Sequence, residues 1–145
     1  MQFTKAEEYG LQGVMYLAEK DHQSVTPLSE IARANDIPEK FLAKIFQSLT
    51  RAGIVRSHRG IRGGFTMGKN PEGVTVKELL EAIQGPYHLM KCIPDISQCG
   101  KYPFCALREL LIIAEQRLVS TFEEYTIADL GTWQSEQKSQ TGATS

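Results

Sequence analysis

The chain has 145 residues, 41% of them hydrophobic and 23% charged, with three cysteines and a formal net charge of −1. That length suits a domain with its own core, and no apolar run approaches the ~20 residues needed to cross a bilayer. Residues 1–25 carry no signal-peptide apolar region, so a cytoplasmic location is expected, where thiols stay reduced and a structural disulfide is not expected.

Residues 4–20 predict a first helix. Thr4-Lys5-Ala6-Glu7 has the form of a capping box, and Ala6, Gly10, Val14, Leu17 and Ala18 recur at helical spacing. Thr26-Pro27 predicts an N-cap hydroxyl ahead of a proline at the first helical position, followed by the short apolar stripe of Leu28, Ile31 and Ala32. Ala34-Asn35-Asp36 breaks that stripe. Pro38 opens another helix with Phe41, Leu42, Ile45, Phe46 and Leu49 on one face and Gly53 as its stop. Two short helices around a tight polar turn make a helix-turn-helix. Residues 54–58 and 65–68 then read as strands around Arg59-Gly60-Ile61-Arg62-Gly63-Gly64, whose glycines permit close backbone approach to another surface. A helix-turn-helix followed by such a hairpin is a winged helix.

Thr75-Val76-Lys77-Glu78 is a second capping box, starting a helix with Val76, Leu79, Leu80 and Ile83 inward and ended by Gly85-Pro86. From about Ala106 to Glu124 a long helix carries Leu107, Leu110, Leu111, Ala114, Leu118 and Phe122 on one face, with Ile112, Ile113 and Val119 making a second side apolar. Such a helix needs more partners than a small monomer supplies, which predicts a homodimer interface. Thr126-Ile127-Ala128-Asp129 caps a last short helix, and the polar residues beyond it predict a frayed tail. The fold class expected is mainly α. A winged helix-turn-helix region spans 1–87, with its wing at about 54–69, and a loop spans 88–105. A dimerisation helix with a terminal short helix covers 106–132, and a flexible tail covers 133–145.

The net charge hides an asymmetry. From Lys40 to Lys69 there are seven basic residues and no acid, while the other nine stand against all seventeen acids, about −8. Alone, such a block is ordinarily a solvated face; on a helix-turn-helix and a glycine wing it has the sign and extent of a surface for double-stranded DNA. Lys40 and Lys44 share a helix face and suit guanine edges or phosphates, and Ala43 between them suits a thymine methyl. Phe41 and Arg51 belong to the same reading helix. Arg59 and Arg62, with Gly60 and Gly63, suit a narrow minor groove. Arg56 and His58 at the wing base suit phosphates, as do Thr26, Ser29 and the amides near Leu28.

The cysteines, Cys92, Cys99 and Cys105, are spaced C-x6-C-x5-C within "CIPDISQCGKYPFC". This is not the C-x2-C pattern of most structural zinc sites, and spacings this long suit a loop around a multi-atom centre such as an iron–sulfur cluster. No paired catalytic carboxylates, nucleophile–base pair or phosphate-binding loop is placed for chemistry, so an enzyme is not expected.

With the opening "MQFTKAEEYGLQGVMYLA", the wing "RAGIVRSHRGIRGGFTMGK", the three cysteines and the closing "YTIADL", the chain resembles the IscR/NsrR/RirA group of winged-helix iron–sulfur regulators over residues 1 to about 130. The resemblance implies a homodimer with crossed long helices, binding a pseudo-palindromic operator and switching affinity with the state of a cluster on Cys92, Cys99 and Cys105. IscR-like [2Fe–2S] members place a ligating histidine three residues after the last cysteine, where this chain has Arg108, and a glutamate where it has Ala43. His88 is nearby but off the motif. NsrR-like [4Fe–4S] members resemble it better; there a carboxylate of the first helix, from the partner subunit, completes the site, and the matching position is Glu8. The expectation is an NsrR-like repressor sensing nitric oxide, redox state or iron. The alternatives are an IscR-like [2Fe–2S] regulator of cluster biogenesis and a cluster-free thiol- or partner-controlled repressor.

Overall fold

The computed structural model describes residues 3–98 and 105–142. Helix α1 (Lys5–Ala18) starts where the Thr4 hydroxyl accepts the Glu7 N–H at 3.2 Å. Its buried side consists of Glu7, Gly10, Gly13, Val14 and Leu17, whereas Ala6 and Ala18 are only half-buried. The two glycines lie where neighbouring helices press closest: a Cβ on Gly13 would sit 2.9 Å from a ring carbon of Phe46, and one on Gly10 would overlap Ile83.

Helix α2 (Leu28–Ala34) follows, and its cap differs from the Thr-Pro expectation. Pro27 is the N-cap residue and no side chain caps the helix. Thr26 is extended instead, its N–H donating to Phe65 O at 3.0 Å and its C=O accepting the Phe65 N–H at 2.8 Å. The competing backbone pairing encloses Thr26, and the Pro27 carbonyl takes the first helical amides.

Helix α3 (Glu39–Arg51) buries Leu42, Ile45, Phe46 and Leu49. Phe41, expected inward, is 39% exposed and lies edge-on to Tyr9 of α1 at 5.6 Å. Gly53, at φ +77°, turns the chain into the wing. Strand β1 (Val55–His58) pairs antiparallel with β2 (Gly64–Met67), Val55 opposite Met67 and His58 opposite Gly64.

Helix α4 (Val76–Gln84) is capped by the Thr75 hydroxyl, which accepts the Glu78 N–H at 3.0 Å. The Glu78 carboxylate, expected to return to the cap, pairs with Lys69. Short 3-10 turns occupy Pro71–Gly73 and Ile96–Gln98. Helix α5 (Ala106–Glu124) and helix α6 (Ile127–Thr141) complete the chain. The complete capping box of Thr126 and Asp129 starts α6. That helix continues well past the expected short segment, through most of the expected tail, to a left-handed Gly142. The extra turns carry no apolar stripe that periodicity could detect. The Thr132, Ser139 and Thr141 hydroxyls satisfy themselves on carbonyls four residues back.

The core gathers Val14, Ile31, Leu42, Phe46, Leu49, Ile54, Val74, Leu79 and Ile127 from every described helix except α5. A two-bond bridge, Val76 N–H to Tyr125 O and Ile127 N–H to Val74 O, both 2.9 Å, ties the start of α6 to the start of α4. No helix among the described residues is long and apolar enough to cross a membrane. Phe46 is fully buried, under α1 and edge-on to Phe65 at 4.9 Å. Phe46→Ala is expected to lower unfolding stability by about 3–5 kcal/mol; a urea denaturation curve within 1 kcal/mol of wild type would show that the core does not centre there.

Candidate functional site

On α3 the exposed side chains are Glu39, Lys40, Phe41, Lys44, Gln47 and Arg51, with Ala43 half-buried between the lysines. Arg56 is exposed on β1, and Arg59, Gly60 and Arg62 are exposed at the wing tip. None of these six basic residues is in an ion pair among the described residues, so their charge is available to an outside anion. Ser29 is exposed and Leu28 half-buried at the uncapped start of α2. Two expected contacts are placed differently. Thr26 is 3% exposed, so its hydroxyl offers nothing to a phosphate. The His58 ring is half-buried and sits 2.9 Å from the Thr66 hydroxyl across the wing.

The wing is fixed rather than loose. Thr26 adds a third short pairing to its outer edge, and Gly64 (φ +157°) passes so close to the Thr26 carbonyl that a Cβ would collide. At the tip the Gly63 N–H donates to Gly60 O at 3.0 Å, which makes Ile61 and Arg62 the corner residues of a β-turn. Ile61 is fully exposed there. Sequence reasoning passed over it, although an apolar residue between two arginines on a glycine loop is a visible signal.

The cysteine segment is held against α5. Cys92 is 7% exposed. Cys105 is the N-cap residue of α5, its Sγ accepting the Arg108 N–H at 3.5 Å. The Arg108 guanidinium donates to Cys92 O and Ile93 O, both at 3.0 Å. Glu115, 8% exposed, lies two turns further along the same face, about 10 Å on, and accepts the Leu89 N–H at 2.9 Å. The same carboxylate oxygen lies 3.1 Å from His88 Nδ1. Residues 88–93 therefore run along one face of α5 under two side chains. Arg108 and Glu115 were invisible as clamps in the sequence, because their partners are chiefly backbone groups.

Cys99 lies outside the described residues. Among the described residues of one chain no three metal-ligating side chains form a group, so Glu8, Cys92 and Cys105 are not brought together within a protomer. Glu8 is half-exposed and paired with Lys5 at 3.2 Å. Its neighbour Glu7 is the inward carboxylate, 3% exposed; Oε1 accepts the Thr4 hydroxyl at 3.1 Å and Oε2 has no hydrogen-bond partner. Burial, and then the Glu7 charge, raise the pKa of Tyr87 above the ordinary tyrosine value.

Arg108→Ala removes two charge-assisted hydrogen bonds from the loop, each worth about 1.5–3 kcal/mol. In a Cys99→Ser, Cys105→Ser background, Cys92 of that variant is expected to react with a disulfide reagent at least about tenfold faster, the equivalent of ~1.4 kcal/mol of lost protection. An unchanged rate would show that Arg108 does not hold the segment.

The fold has close solved counterparts. CymR of B. subtilis, described as its global cysteine regulator, is 28% identical, with a TM-score of 0.76 over 92% of this chain and 98% of that one. T. potens IscR gives a TM-score of 0.74 at 21% identity, over 90% of this chain and 85% of its own. The oxidised form of S. aureus CymR gives 0.72 at 23% identity, over 90% and 96%. Residues 3–132 match the family described as Rrf2, iron-dependent transcriptional regulator. With a winged helix, an unpaired basic face and that match over most of its length, the chain belongs to the Rrf2 family of transcriptional regulators.

Proposed function

We propose that this chain is a homodimeric repressor of a pseudo-palindromic operator whose DNA affinity is set by an iron–sulfur cluster on Cys92, Cys99 and Cys105. What supports the reading is that one chain carries both an unpaired basic face on α3 and the wing and a cysteine segment clamped to α5 by Arg108 and Glu115. Lys40, Lys44 and the wing arginines meet the duplex, with α3 in the major groove and the wing over the minor groove. Two of the three thiols sit at one end of α5, Cys92 buried and Cys105 half-buried, which fits a soft thiolate-bound centre.

The cluster supplies a redox- and nitric-oxide-reactive centre, [4Fe–4S] in this reading with [2Fe–2S] as the alternative. The chain's own residues do the rest. Arg108, committed to two carbonyls, holds the loop and is not a ligand. Glu8, half-exposed near the start of α1, is available to a partner subunit. The dimer forms on α5, where Leu107, Leu110 and Ile113 are 55%, 61% and 44% exposed in the single chain.

A cluster-free repressor controlled by thiols or by a partner is the second reading, favoured by the likeness to the cysteine regulator CymR. Anaerobically purified protein is expected to show absorption near 400 nm and about four irons and four sulfides per chain; protein free of both assigns the second reading. Glu8→Ala is expected to lose the cluster faster under nitric oxide or chelator, while His88→Ala keeps the wild-type spectrum. The reverse pattern transfers the fourth position to His88. Leu110→Lys is expected to shift the protein from dimer to monomer in light scattering; an unchanged dimer removes α5 as the interface.

A further inference from the structure

We propose that Ile61 is an apolar wedge at the tip of the wing, entering the minor groove between two base pairs, so that the protein reads the deformability of the step beneath the wing. The proposal rests on the DNA-binding reading and adds a contact whose chemistry is neither charge nor hydrogen bonding. Single exposed apolar residues are ordinary on protein surfaces; three features of this one are not.

Ile61 stands at 107% exposure, with its whole side chain beyond the surface. Its position is fixed: the Gly63 N–H closes the turn on Gly60 O at 3.0 Å, and a Cβ on Gly63 would meet His58 O at 2.6 Å and Gly60 O at 2.8 Å. The base of the wing is held by the paired backbones of Thr26 and Phe65. The tip therefore arrives preorganised, and little conformational freedom is lost when it is inserted.

The flanking residues complete the design. Arg59 and Arg62 are exposed and free of ion pairs among the described residues, so they neutralise the phosphates and the negative potential of a narrow groove while Ile61 enters it. Gly60, at φ +108° with open space around its α-carbon, leaves room for the sugar walls. A branched aliphatic side chain carried by arginines is the combination that partly unstacks a base step and opens the groove. The steps that unstack most easily are pyrimidine–purine steps, TA and CA/TG. Water is displaced from Ile61 only if it is enclosed, and the stacked interior of such a step encloses it more fully than a groove wall does.

The test needs no prior operator. Full-length wild type, Ile61→Ser and Ile61→Leu, purified anaerobically, are each used to select binders from a random-sequence duplex library. Wild type and Ile61→Leu are expected to enrich a pyrimidine–purine step beside the bases read by α3. Ile61→Ser is expected to keep those bases, lose the step preference and bind the wild-type site about tenfold more weakly. With 2-aminopurine at the enriched step, fluorescence rises on binding of wild type and Ile61→Leu but not of Ile61→Ser. Equal affinity, motif and fluorescence for wild type and Ile61→Ser overturn the wedge while leaving DNA binding intact. Loss of the α3-read bases in Ile61→Ser also overturns it, by showing a structural role. A wild type that enriches no sequence removes the DNA-binding reading and the wedge with it.

Discussion

Gly10 and Gly13 present no side chain on the buried side of α1, and Ile83, Ile45 and Phe46 fill the space they leave. Contact attraction falls away within an ångström of its optimum, so this approach fixes α1 against both α3 and α4 at once. The two ends of the resulting assembly face different chemistry. Tyr9 meets Phe41 edge-on, and Lys5, Lys40 and Lys44 share an open cleft of about 410 Å³ beside the reading helix. On the other side of the same turns, the Thr4 hydroxyl receives the amide of Gln84, the last residue of α4, four positions before the cysteine segment begins. A shift of α1 cannot be absorbed in a core with no slack. It must reappear at Phe41 or at the end of α4, which in the proposed switch makes α1 and α4 a mechanical route between loop and DNA.

The charge pattern uses the same scaffold. The acid-free stretch from Lys40 to Lys69 folds into α3, the turn at Gly53 and the wing, which carry six cations free of ion pairs among the described residues, while Lys69 beyond β2 pairs with Glu78. Acids elsewhere in the chain leave the whole molecule near neutral, so the field is directional: it steers a polyanion to one face. What keeps wing and helix in one surface is backbone, not charge. Thr26 links the segment before α2 to β2 by two backbone hydrogen bonds.

The winged helix was legible because its signals are local. Apolar residues at helical spacing, a glycine after the last turn of α3 and glycines around the wing each have a short-range physical cause. The errors arose where a longer-range partner outbid a local one. Thr26-Pro27 looks like a cap, yet two bonds to Phe65, thirty-nine positions away, draw Thr26 into the sheet. Phe41 fits the inward stripe, yet the rotation of α3 against α1 leaves it at the edge. The tail looked frayed because α6 is stabilised by a full capping box, self-bonded hydroxyls and a Tyr125–Trp133 contact at 4.9 Å, none of which makes a stripe. Adjacent carboxylates were hardest of all. Glu7 and Glu8 differ by about 100° around a helix, and only the packing of α1 shows that the first is buried and the second stands beside Lys5.

Helix α5 reverses the usual distribution of side chains. The one residue it buries, among those described, is Glu115, while Leu107, Leu110 and Ile113 are exposed. A carboxylate is rarely enclosed unless it is paired, and this one is paired with the Leu89 amide and His88. Arg108 and Glu115 of α5 are thus committed to the cysteine segment, whereas Leu107, Leu110 and Ile113 stand exposed and Phe122 packs against Phe3 and Tyr87. Because a helix is stiff over five turns, the two sides cannot move independently. If the segment around Cys92 loosens its hold on Arg108 and Glu115, α5 loses the contacts that set its rotation relative to α4. The exposed leucines and Ile113, which the second subunit covers in the proposed dimer, must then turn with it. In this reading, the Arg108 and Glu115 clamps convert the state of a loop into the geometry of a dimer, and hence into the spacing of two wings on DNA.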